Sequence, residues 1–234
     1  MYADGTTYDQ PSKLAAQAEK RVSAAVARLN GILPLKARQE KLSEPLRRLH
    51  RDILNAYVEI GRTLSRDEIG GRMENAADAI QTLAENDLIV VDSEGELVGA
   101  YPFTMEQREH KLKVNGHQVH CMCALDALAV NPMFGAEVEI TSRCRVSDQP
   151  VRLRQKRYRF HDADDTQDLF FGISWNAASA SSCCANSLCT EMIFLKGDLV
   201  AKNWRDQDAE NREIFTLDEA ILFATDFFLP LLED

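Results

Sequence analysis

The segment KLKVNGHQVHCMCALDALAV, residues 111–130, decides the class of fold. Lys111 to Val114 and Gln118 to Cys121 read as two strands around Asn115-Gly116, a pair whose tolerance of positive φ makes it the strongest short hairpin signal. Directly after the second strand, Cys123 to Val130 reads as a short helix that ends near Asn131-Pro132, because proline interrupts a helix interior. Further on, Glu137 to Arg145 and Val151 to Phe160 are expected as strands joined at Ser147-Asp148-Gln149-Pro150, and Leu169 to Trp175 as a third. Asn176 to Ser187 is small and polar and is expected as a loop leading into a buried strand, Leu188 to Leu195. Thr216 with Glu219 forms a capping box before a closing helix, Leu217 to Leu229, whose apolar face includes Ile221, Leu222 and Phe228.

Upstream of the segment the pattern is helical. The first dozen residues are polar and are expected to be disordered. A first helix follows through Leu14, Ala18, Val22, Ala25, Val26 and Leu29, up to the breakers Gly31 and Pro34. A second, Pro45 to Ile60, carries Leu46, Leu49, Ile53, Leu54, Tyr57 and Val58 on one stripe. Ser65 and Glu68 form a capping box for a short helix reaching Met73. Another helix spans Asn75 to Asn86, with Ala76, Ala79, Ile80 and Leu83 inward, and Leu88 to Val91 and Leu97 to Tyr101 form a hairpin around Asp92-Ser93-Glu94-Gly95. Three helices and a hairpin in this order spell a winged helix. The fold class is therefore α+β: an N-terminal extension with one helix (1–40), a winged-helix-like domain (41–104) and a mixed, mainly antiparallel, strand-rich domain (105–234).

Composition narrows the function. With 45% hydrophobic and 27% charged residues, the 234-residue chain can bury a core without disulfide staples. The net charge of −10 opposes binding to nucleic-acid backbones or anionic membranes. No apolar run is long enough to span a bilayer, and MYADGTTYDQPSK lacks the regions of a signal peptide, so a cytoplasmic location is expected. The six cysteines, Cys121, Cys123, Cys144, Cys183, Cys184 and Cys189, would then be thiols used for metal binding or catalysis rather than bridges.

Cys123 and Asp126 share a face in the first turn of the predicted helix. A helix N-terminus favours the thiolate, so Cys123 is expected to ionise below the ordinary thiol range. The pair alone, a weak pattern, is better read as a small buried hydrophobe and a first-turn charge that suits the dipole. Cys183, Cys184 and Cys189 form a second group, and with Cys121 and Cys123 they suggest a soft-metal site. Neither the C-x-C nor the adjacent C-C spacing matches a zinc knuckle. His50, His110, His117, His120 and His161 show no ligand spacing, and solvated or locally satisfied roles are expected for them. The basic run Arg152, Arg154, Lys156, Arg157 and Arg159 reads as a solvated strand face balanced by Asp162, Asp164, Asp165 and Asp168.

Cys123-Ala124-Leu125-Asp126-Ala127-Leu128 resembles the signature helix of the organomercurial (alkylmercury) lyase family. The resemblance extends over roughly residues 45 to 230. It takes in Leu88 to Gly99 and the Asn115-Gly116 hairpin, then Thr141-Ser142-Arg143-Cys144 with Pro150-Val151, and Ser187-Leu188-Cys189 followed by Ile193-Phe194-Leu195 and Trp204. It implies catalytic and metal-holding roles for Cys123, Asp126 and Cys189 and a structural role for Cys144; Cys183 and Cys184 stand beside them as candidate accessory ligands. Cys189 is preferred to the adjacent pair because only it keeps the family's distance to Phe194 and Trp204. The implied reaction is protonolysis of R–Hg⁺ to hydrocarbon and bound Hg²⁺. It needs no organic cofactor, uses small cellular thiols for turnover, and implies a mercuric reductase as the downstream partner. Met122 and Glu191 depart from the family's usual aromatic residue and histidine. The competing reading is a soft-metal binding or sensing protein without lyase activity. As a DNA-reading sensor it is opposed by Glu74, Asp78, Glu85 and Asp87 on a recognition helix without lysine or arginine.

Overall fold

The computed structural model describes residues 13–156, 159–161, 166–177 and 187–233. The polar first dozen residues, Arg157, Asp162, Asp164 and Asp165, and Cys183 and Cys184 lie outside the described residues. Five helices come first: α1 (Lys13–Ile32), α2 (Leu35–Glu40), α3 (Glu44–Ile60), α4 (Arg66–Gly70) and α5 (Ala76–Glu85). Ser65 and Glu68 bond reciprocally at the start of α4, and the Asn75 side chain accepts the N–H groups of Ala77 and Asp78 at the start of α5. The arginines nearby are neutralised: Arg62 pairs with Glu68, Arg66 with Glu96, and Arg72 with Asp52.

An eight-stranded antiparallel sheet follows, formed by β1 (Val90–Val91), β2 (Leu97–Ala100), β3 (Phe103–Thr104), β4 (His110–Val114), β5 (His117–Cys121), β6 (Val138–Arg143), β7 (Pro150–Lys156) and β8 (Arg159–Phe160), in the order β1-β2-β3-β5-β4-β6-β7-β8. The turn between β4 and β5 places Asn115 at φ 49° and Gly116 at φ 83°, the conformation the Asn-Gly pair predicts. Strand β3 pairs with both β2 and β5, so the helical N-terminal half and the strand-rich half share one sheet. Strands β4, β6 and β7 alternate strictly between buried and exposed positions, aiming Leu112, Val114, Val138, Ile140, Val151 and Leu153 at the core.

Against that face lies α6 (Ala124–Phe134), in which every residue from Ala124 to Met133 is buried. A helix that is apolar all round must be covered on all sides. The remaining cover comes from α8 (Leu217–Phe228) and from a second antiparallel sheet, ordered β10-β9-β11, of β9 (Leu169–Ser174), β10 (Met192–Lys196) and β11 (Arg212–Thr216). The outer side of this sheet is closed by Trp204 on α7 (Asp198–Asp206). A Cβ on Gly172 would come within 2.9 Å of that ring, so only glycine admits it. Thr216 and Glu219 form the expected capping box on α8, and α1 is tied there by Arg21 to Glu219.

Several expectations need correction. Helix α6 does not stop at Asn131-Pro132 but continues to Phe134 and ends at Gly135 in the left-handed region. Pro132 has no N–H for the carbonyl of Leu128, and the buried Gln155 side chain on β7 donates to that oxygen instead, at 3.3 Å. Leu188 to Leu195 is not one strand: Leu188–Glu191 forms a 3-10 turn before β10 begins. Leu222 is exposed rather than inward. Arg154 and Lys156 pair with Glu137, and Asp162, Asp164 and Asp165, expected to balance this face, lie outside the described residues. Helices α2 and α7 and strands β3 and β11 have no counterpart in the sequence reading, being short or, in α2, started at Pro34 without a side-chain cap.

Gln155→Leu fills the same space but leaves the Leu128 carbonyl buried without a donor, at a cost of about 1–3 kcal/mol. Urea unfolding measures this directly, and an unchanged midpoint contradicts the role given to Gln155. Duplex DNA is expected not to bind the acidic α5 face, and a gel shift that weakens steeply as salt rises overturns that expectation.

Candidate active site

Strand β5 ends at Cys121, and two residues later the chain turns into α6 with Cys123 as its N-cap, in extended conformation. The Cys123 sulphur accepts the N–H of Asp126 at 3.4 Å, the position a serine or aspartate oxygen occupies in ordinary caps. Asp126 is thereby held in the first turn with its carboxyl beside the thiol. Cys189 reaches the same point from the 3-10 turn ahead of β10. One ligand atom from each of Cys123, Asp126 and Cys189 lies within 4.8 Å of the others, and all three residues are buried.

A clamp that the sequence reading missed holds the Cys189 turn. Arg145 donates to the carbonyl of Thr190 at 3.2 Å and to Glu109 at 2.7 Å, while its backbone N–H bonds Phe194. Glu109 also meets His110 at 3.2 Å, and the His110 ring bonds Ser142 and packs edge-on against Phe194. The His110 and Arg145 bonds outweigh partial burial and hold the Glu109 carboxyl down at about 2, so it is an anion throughout the physiological range. The strand ending at Arg143 and the turn bearing Cys189 are thus locked together. A basic residue directly after Cys144 and an acidic one before His110 are too unspecific as a pattern to have revealed this in sequence.

Electrostatics reverse one expectation. Burial pushes the Cys123 thiol up to about 12 and the adjacent Asp126 charge adds to this, while bonds from Cys189 and the Asp126 N–H offset only part. The helix N-terminus is present, but desolvation wins, so Cys123 rests as a thiol. Burial likewise raises the Asp126 carboxyl to about 7, against bonds from Cys123 and the positive charge of Arg108. Its Oδ2 has no hydrogen-bond partner among the described residues. A carboxyl in this state can both take and release a proton near neutrality.

The other candidates fall outside this cluster. Cys121 is fully buried at the end of β5, its thiol driven far up by desolvation. Cys144 lies in the turn after β6. Burial would raise its thiol, but the N–H groups of Ser147 and Lys196 at 3.4 and 3.3 Å, with the Ser147 hydroxyl, hold it below the ordinary range. All four described cysteines are reduced. His50 bonds Gln39 in the core, and no histidine joins the cluster among the described residues. Met122 packs on Gly99, and Cys183 and Cys184 lie outside the described residues. No helix among the described residues is long and apolar enough to cross a membrane.

The family model described as MerB, alkylmercury lyase, matches residues 103–229, a span that contains Cys123, Asp126 and Cys189. The chain is similar to the alkylmercury lyase of Staphylococcus epidermidis, 26% identical over 144 residues, covering 62% of this chain and 63% of that protein. It is similar also to those of Bacillus cereus, 25% over 138 residues (59% and 60%), and Pseudomonas putida, 23% over 146 residues (62% and 67%). It therefore spans about three-fifths of the length of the first of these relatives. Among solved structures, the mercury-bound form of MerB2 shares the fold with a TM-score of 0.68 and 19% identity, over 85% of this chain and 98% of that one. With more than half of its length matched by the family model, the chain belongs to the alkylmercury lyase family.

Proposed function

We propose that the protein cleaves the carbon–mercury bond of R–Hg⁺ by protonolysis, with Cys123 and Cys189 as the sulphur ligands and Asp126 as the proton carrier. The observation that carries this reading is a buried carboxyl, raised to about 7, within 4.8 Å of two buried thiol sulphurs. Mercury is soft and prefers sulphur, so R–Hg⁺ arrives on a small cellular thiol. Cys123 displaces that carrier, and its own proton leaves with the departing thiolate. Cys189 then adds to mercury and passes its proton to the Asp126 carboxylate. The second sulphur pushes electron density toward carbon, and Asp126 delivers the proton there as the bond breaks. RH leaves, Asp126 is again a carboxylate, and Hg²⁺ stays on two thiolates until free thiols extract it toward a mercuric reductase. The reduced cysteines suit the cytoplasm. Residues 41–104 serve on this reading as a winged-helix-like support rather than a DNA reader.

Asp126→Asn separates binding from cleavage. The variant is expected to keep bound Hg²⁺ while releasing benzene from phenylmercury at least about a hundredfold more slowly, the range for loss of a general acid. Near-normal release would remove Asp126 from the mechanism, and no hydrocarbon from the unaltered protein with any alkyl or aryl substrate would favour the binding-only reading. Linkage gives a second readout. The folded-state pKa of Asp126 lies above its unfolded value. Its contribution to stability is therefore complete below the ordinary carboxylate value of about 4, and is lost as pH rises to about 7. The stability of Asp126→Asn relative to the unaltered protein should rise across that window in urea unfolding, and a constant difference would contradict the raised pKa.

The choice among the second group of cysteines is tested separately. Cys189→Ser is expected to abolish hydrocarbon release while Cys183→Ser and Cys184→Ser retain most of it. The reverse ranking would move the second ligand to the adjacent pair.

A further inference from the structure

The thioether of Met192 touches the Cys123 thiol, with Sδ 3.6 Å from Sγ. Met192 is buried at the first position of β10, three residues beyond Cys189 on the same segment. One short stretch, Cys189-Thr190-Glu191-Met192, therefore brings two sulphur atoms to Cys123, and the Arg145 bond to the Thr190 carbonyl fixes that stretch between them. In the sequence the signal is no more than a Cys-x-x-Met spacing inside an apolar run.

Resting on the lyase reading above, we propose that Met192 is a third sulphur donor to the mercury atom, holding R–Hg⁺ and then Hg²⁺ together with Cys123 and Cys189. Three properties make a thioether suited to this place. It is soft, so it favours mercury over harder cations. It carries no charge, so burying it beside two thiols and a carboxyl adds no further ionic cost. It takes no proton at physiological pH, so it does not compete with Asp126 for the protons released by the thiols. At rest it accepts the Cys123 S–H; when mercury binds and that proton departs, the same lone pair faces the metal. A third sulphur also adds electron density to mercury as the carbon leaves, and it slows loss of Hg²⁺ to competing thiols.

The experiment uses the full chain labelled with selenomethionine and loaded with mercuric chloride. X-ray absorption at the selenium edge should show a mercury neighbour, and Met192→Leu, which leaves five methionines, should abolish it. Leucine conserves volume, so the fold is expected to tolerate the change. The leucine variant should also yield Hg²⁺ to a competing free thiol at least about tenfold more readily, the scale for losing a supporting metal contact. Absence of mercury around selenium in the unaltered sequence overturns the proposal even if the variant fails to fold. Equal Hg²⁺ retention by a folded variant overturns it too. Hydrocarbon release on the same samples tells this failure from that of the lyase reading: a protein that releases hydrocarbon but shows no selenium–mercury contact loses only the role of Met192.

Discussion

Burial of the N-terminal turn of α6 is the constraint on which the rest of the structure depends. That turn carries Cys123 as its cap and Asp126 in its first helical turn, and neither side chain is more than 1% exposed. Helix α6 can be buried there because, Asp126 and Asn131 apart, its residues are apolar on every side, which in turn requires two sheets and α8 to cover it. The Pro132 interruption is tolerated because Gln155 supplies the missing donor from the large sheet. The smaller sheet brings Cys189, and the Arg145 clamp joins the two.

A buried thiolate pair beside a buried carboxylate would be unstable without a cation, since isolated charges in a low-dielectric interior are strongly disfavoured. Burial works against this charge: the Cys123 thiol, at about 12, rests protonated, and the Asp126 carboxyl, at about 7, is only partly ionised at neutral pH. On the proposed reading, deprotonation is coupled to the arrival of a soft cation, which replaces protons on sulphur one for one. On the proposed mechanism, the same desolvation also keeps the proton released by Cys189 on the nearest base, Asp126, instead of losing it to water. Binding and proton delivery are in this account two consequences of one buried cluster.

Much of the fold was legible because local signals were strong. The Asn115-Gly116 turn, the two capping boxes and the alternation in β4, β6 and β7 each specify geometry within a few residues. The proline at 132 misled because its compensation comes from Gln155, which is adjacent only in the folded chain. The 3-10 turn at Leu188–Glu191 misled because an apolar run contains no sign of where its backbone hydrogen bonds go. Cys123 and Asp126 could be paired from their spacing alone. Bringing Cys189 to them required the family resemblance, since no periodicity connects positions so far apart. The direction of the Cys123 shift was not legible: the helix-end effect can be read from sequence, but the desolvation that exceeds it depends on the complete packing around α6. Met192 and Arg145 were missed for the same reason.

The central claim is that Asp126 is poised between its two protonation states at neutral pH. Infrared difference spectra between the unaltered protein and Asp126→Asn, collected from about pH 5 to about pH 9, follow the protonated carboxyl band of this residue alone. The account predicts that the band disappears with a midpoint near 7. A midpoint near the ordinary carboxylate value of about 4 would contradict it.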